Sequence, residues 1–126
     1  MDRIRVLLVD DEPTFTRLLK IHLERRGFDV MVENNGANAH KVAREFQPDF
    51  IFLDVIMPDV DGGEAAAMIR SDPALEHVPI VFLTAGVSKE TTRVKGGVIG
   101  GETYLAKPAS VDEVVRCIQM NVRKAS

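Results

Sequence analysis

A chain of 126 residues, 45% hydrophobic and 28% charged, has enough apolar content for one packed domain and too much for a disordered segment. Its net charge of −3 lacks the basic excess that nucleic acid or anionic lipid attracts, and its one cysteine, Cys117, has no partner for an internal disulfide. No apolar run approaches the ~20 residues of a membrane helix and the N-terminus lacks a signal peptide's apolar centre, so a cytoplasmic, soluble single domain over residues 1–126 is expected.

In chain order, residues 4–9 form the first predicted strand, a nearly continuous apolar run of the kind buried on both faces of a parallel sheet. A helix over 13–26 follows, with Pro13 in its first turn, an apolar repeat of Phe15, Leu18, Leu19 and Leu23, and Gly27 as its stop. Residues 29–33 alternate, with Val30 and Val32 on one face, and predict an edge strand. A helix over 37–46, a buried strand over 50–53, a helix over 64–70 and a second buried strand over 79–83 come next. Residues 103–106 are a shorter strand. Ser110-Val111-Asp112-Glu113 is a capping box opening a last helix with the stripe Val111, Val114, Val115, Ile118 and Val122. Strand and helix alternate throughout, which predicts an α/β domain: parallel strands joined by right-handed crossovers, with helices on both faces.

In such sheets ligands bind beyond the carboxyl ends of the strands. The first strand runs into Asp10-Asp11-Glu12, the third into Asp54, the fourth into Thr84-Ala85 and the fifth into Lys107-Pro108. Three carboxylates, a hydroxyl and an ammonium therefore converge. Their mutual repulsion is relieved by a hard divalent cation with oxygen ligands, and magnesium keeps room for a phosphoryl oxygen. Taken singly, each residue also has an ordinary role as a helix cap or a surface charge; it is their joint placement at four strand ends that carries the reading. The other candidates are minor. His22 continues the first helix's apolar stripe as a partly buried structural residue, while His40 and His77 fall in surface segments. Cys117 is a half-buried apolar residue, and Arg116, Arg123 and Lys124 form a solvated face.

Asp10-Asp11-Glu12-Pro13, Asp54 with Met57-Pro58-Asp59 and Asp61-Gly62, Thr84-Ala85, and Tyr104-Leu105-Ala106-Lys107-Pro108 together resemble the signature of bacterial two-component receiver domains, over nearly the whole chain. The resemblance implies a five-stranded, doubly wound, flavodoxin-like sheet of order 2-1-3-4-5. It implies that Asp54 takes a phosphoryl group from a phosphohistidine on a sensor histidine kinase or phosphotransfer protein. Mg2+ would be held by Asp10, Asp11, Asp54 and the backbone carbonyl of Ile56. Lys107 and Thr84 would bind phosphoryl oxygens, and Ala85 would leave them room. Thr84 and Tyr104 would form the switch that remodels a protein-binding surface for a downstream target, or for a second phosphorylated copy of the chain. By the same resemblance Lys107-Pro108 is expected to be cis.

The chain departs from the pattern at Gly96-Gly97-Val98-Ile99-Gly100-Gly101, where only Gly100 matches the family's glycine. Adjacent glycines end short helices, so the fourth helix is expected to begin near Ser88 and to be short, displaced or mobile. Gly63, where a bulky apolar residue is usual, weakens the start of the third helix. Other readings are a receiver module that is never phosphorylated, which the complete residue set opposes, and a magnesium-dependent phosphohydrolase. A phosphohydrolase of the haloacid dehalogenase type wants a second aspartate two residues after the nucleophile, and Ile56 cannot move a proton. The expected protein is thus no conventional enzyme, acts by protein contacts without touching nucleic acid or membrane itself, and is either a stand-alone receiver or a piece of a longer regulator with a separate output domain.

Overall fold

A computed structural model describes residues 3–85, 98–99 and 102–125. In chain order the elements are β1 (Arg5–Val9), α1 (Pro13–Arg25), β2 (Asp29–Glu33), a 3-10 turn (Gly36–Asn38), α2 (Ala39–Phe46), β3 (Phe50–Asp54), α3 (Gly62–Arg70), β4 (Ile80–Thr84), β5 (Val98–Ile99), β6 (Glu102–Ala106) and α4 (Val111–Ala125). The strands lie in one sheet of order β2-β1-β3-β4-β6-β5. Its five parallel strands, β2, β1, β3, β4 and β6, have the expected order 2-1-3-4-5 when counted alone.

β5 is an addition to that expectation. Val98 and Ile99 pair antiparallel with Thr103 and Glu102. Two β-branched residues suit a strand, and the two residues between β5 and β6 in sequence are both glycine, a composition that tight hairpin connections favour. The helix expected from Ser88 lies outside the described residues.

β1, β3 and β4 are almost wholly apolar because both faces are covered. Leu7, Val9, Ile51, Leu53, Ile80 and Phe82 pack with Ala39, Ala43 and Phe46 of α2 and Ala65, Ala66 and Ile69 of α3. Val6, Leu8, Phe50, Phe52, Val81 and Leu83 point the other way, onto Leu19 and Leu23 of α1 and Val114 and Ile118 of α4. β2 is an edge strand, with Val30 buried and Met31 facing out.

The helix ends follow their sequence signals. Gly27, at φ 96°, closes α1 in a Schellman motif: its N–H donates to Glu24 O and that of Phe28 to Leu23 O, with Leu23 and Phe28 buried together. The capping box is realised, Glu113 N–H donating to Ser110 Oγ (3.1 Å) and Ser110 N–H to Glu113 Oε1 (3.0 Å). At the weak start of α3, Asp61 Oδ1 accepts from Gly63 N–H at 2.6 Å. The burial pattern of α1 corrects two expectations. Leu18 is 53% exposed and His22 is exposed, because Thr16, Leu19 and Leu23 form the line that meets the sheet, one helical step of about 100° away. His40 is half-buried rather than a free surface residue, its Nε2 lying 2.9 Å from Asp72 Oδ2 and holding that carboxyl below its usual range, whereas His77 is exposed. Burial pushes the half-buried Cys117 thiol up to about 11. No helix among the described residues is long and apolar enough to cross a membrane.

Candidate functional site

The site is assembled from strand ends. β1 lies between β2 and β3, and β4 lies between β3 and β6, so Asp10, Asp54, Thr84 and Lys107 reach one edge of the sheet. Backbone bonds fix their heights: Asp10 N–H donates to Glu33 O (3.2 Å) and Lys107 N–H to Thr84 O (2.9 Å). Asp10, Asp54 and Thr84 are buried, and Asp11 is half-buried. The Lys107-Pro108 bond is cis, as expected.

Lys107 is the charge at the centre. Its Nζ lies 2.6 Å from Asp10 Oδ2, 3.1 Å from Glu12 Oε1 and 3.9 Å from Asp54 Oδ2, and sits 4.7 Å from the centre of the Phe15 ring. Burial opposes its charge, but the two close carboxylates hold its pKa above the ordinary value. Burial lifts Asp10, against the pull of Lys107 and the Glu12 backbone amide. Asp54 is pushed up to about 6, first by burial and then by repulsion from Asp10, with Lys107 and the Ile56 amide acting the other way.

The loop after Asp54 is pinned on both sides. A Cβ at Gly62 would stand 2.3 Å from Asp54 O and 2.8 Å from Val55 Cα, so only glycine lets α3 start this close to the end of β3. Gly62 N–H donates to Val55 O (2.9 Å). Further along, Met57 and Val60 press on Gly36, and Asp59 Oδ2 accepts from Ala37 N–H at 2.8 Å. Ile56 projects from this loop 75% exposed. Tyr104 is half-buried on β6, its ring 5.4 Å from that of Phe82.

Sequence reasoning missed two supporting residues. Asn34 Nδ2 donates to Asp10 O (2.7 Å) and Thr16 Oγ1 (3.0 Å), tying the end of β1 to α1. Glu12 was named only as part of an acidic run, but it is a partner of Lys107 95 residues away. For Asn34 the available signal was its place directly after the β2 edge strand; for Glu12 there was none, since an ion pair at that separation has no local pattern.

The donor set suits magnesium. One oxygen from each of Asp10, Asp11 and Glu12 lie within 4.8 Å of one another. Asp10 Oδ2 is buried without a well-aligned hydrogen-bond donor, although the Lys107 ammonium stands beside it. A buried oxygen of this kind, on a carboxyl that burial lifts and with other carboxylates close by, matches what a hard cation neutralises.

The chain is similar along nearly its whole length to known proteins. Residues 6–119 match the family model described as the response regulator receiver domain. The chain is 40% identical over 123 residues to the transcriptional regulatory protein TrcR of Mycobacterium tuberculosis, covering 98% of this chain and 47% of that one. It is 38% identical to the transcriptional regulatory protein SrrA of Staphylococcus aureus, covering 94% and 48%. Among solved structures, the receiver domain of the sensor histidine kinase PA1611 from Pseudomonas aeruginosa, with a magnesium ion coordinated in its active site cleft, superposes with a TM-score of 0.80 at 28% identity, covering 97% of this chain and 99% of that one. The chain spans about half the length of the regulators it matches.

Proposed function

The chain belongs to the response regulator receiver domain family, and from that membership and the site geometry we propose that it is a single switch domain, residues 1–126, phosphorylated on Asp54. The observation that carries this reading is Lys107 Nζ lying 2.6 Å from Asp10 and 3.9 Å from Asp54, an ammonium facing two buried carboxylates at the end of a parallel sheet. Asp54 attacks the phosphoryl group of a phosphohistidine on a sensor histidine kinase or phosphotransfer protein, the phosphorus–nitrogen bond breaking as the aspartyl phosphate forms. Asp10, Asp11, Asp54 and the Ile56 carbonyl would hold Mg2+, which when bound supplies positive charge to phosphoryl and carboxylate oxygens. Lys107 neutralises one phosphoryl oxygen and the Thr84 hydroxyl bonds another, next to the small, exposed Ala85. Movement of Thr84 lets the Tyr104 ring turn inward, and a protein-binding surface responds. Such domains are signalling proteins rather than conventional enzymes, and the cytoplasm is where this one would meet its kinase and its target or second copy.

A second reading is favoured by the names and lengths of the relatives: the domain would be the receiver of a longer transcriptional regulator and would act through an output domain. Incubation with acetyl phosphate and Mg2+, followed by intact mass measurement, tests the shared core of both. Wild type should gain one phosphoryl group and Asp54→Asn none; labelling of the variant at the wild-type level refutes the assignment.

A further inference from the structure

We propose that Glu12 is a positioning residue that holds Lys107 back from Asp54, so that the strength of the Glu12–Lys107 pair sets how readily the site takes a phosphoryl group. The inference rests on Asp54 being the phosphoacceptor. Three contacts define where the ammonium rests: Asp10 Oδ2 at 2.6 Å, Glu12 Oε1 at 3.1 Å and the Phe15 ring at 4.7 Å. The Asp54 oxygen at 3.9 Å is beyond hydrogen-bond reach. Lys107 must cross that gap to meet a phosphoryl oxygen on Asp54. Doing so leaves Glu12, whose side chain is 62% exposed, while the lysine side chain is 12% exposed. Any cation bound at Asp10 draws on the same carboxylate that holds the lysine, and Glu12 is then the anion left to retain it. A pair whose acid is this open to water contributes little, so the effect on phosphorylation is about two- to fivefold rather than a switch between on and off.

Two readouts separate this proposal from its premise. In the metal-free protein, the NMR resonance of the Lys107 side-chain ammonium reports the pair without any phosphorylation. Glu12→Gln, which removes the charge, and Glu12→Asp, which keeps the charge but is one methylene short, should both shift it. With acetyl phosphate and Mg2+, both variants should be labelled about two- to fivefold faster than wild type, and Glu12→Gln should change nothing when added to Lys107→Ala. An ammonium resonance unmoved in Glu12→Gln overturns the proposal. So does Glu12→Asp labelling like wild type, or an equal acceleration in the Lys107→Ala background, since either makes Glu12 a diffuse charge acting on the whole site. If wild type takes no phosphoryl group, it is the Asp54 assignment that fails, and the resonance still decides the pairing.

Discussion

Asp54 is held against its own ionisation. A carboxyl raised from 3.8 to about 6 on folding binds more protons in the folded chain than in the unfolded one across that interval. Stability therefore falls as pH rises from about 4 through 6, by up to about 3 kcal/mol at neutral pH. Asp54→Asn removes the charge and keeps the shape, so it should raise the melting temperature of the metal-free protein at pH 7.5 and change it little at pH 4. Thermal unfolding at the two pH values checks this; equal shifts at both would detach the effect from ionisation. At this scale the sequence was readable where chemistry coincides with a strand end, as at Asp10, Asp54, Thr84 and Lys107. It was opaque for Glu12 and Asn34, whose importance lies wholly in contacts made across the fold. It misjudged Leu18 and His22 because helical spacing gives a stripe's period but not which flank the sheet covers.

Among the elements, the long apolar runs of β1, β3 and β4 declared themselves, since burial on both faces leaves little room for polar residues. β5 did not, because two residues between glycines have no periodicity to read. The junction of β3 and α3 is where element geometry bears most directly on the site. Gly62→Ala would place a Cβ 2.3 Å from the Asp54 carbonyl oxygen, a backbone clash that no side-chain rotation relieves. The variant should lose more than about 2 kcal/mol in urea unfolding and accept phosphate more slowly, because the strand end carrying Asp54 must shift. Glycine at this position would prove dispensable if the alanine variant matched wild type in both measurements.

Over the whole molecule, the alternation of strands and helices was enough to give the parallel, two-faced architecture, and the family pattern gave its strand order. The site inherits both, drawing its charged residues from the ends of β1, β3 and β6. A cation held across those ends binds the folded chain and not the unfolded one, so saturating Mg2+ should raise stability by about 2–3 kcal/mol at 100 times its dissociation constant. Melting temperature against Mg2+ concentration checks this. The gain should vanish more completely in Asp11→Ala than in Asp10→Ala, where Lys107 also loses a partner, and a gain surviving in both would place the ion elsewhere.

The order in which the strands occur along the chain has its own consequence. Pairing of β1 with β3 brings Asp10 and Asp54 together using residues synthesised well before Lys107, which arrives with β6. A chain in which only β1 and β3 had paired would hold two acids at one end of the sheet without the lysine that faces them. Docking of β6 onto β4 supplies that lysine, so the last of the five parallel strands to be synthesised brings the charge that balances the first and the third.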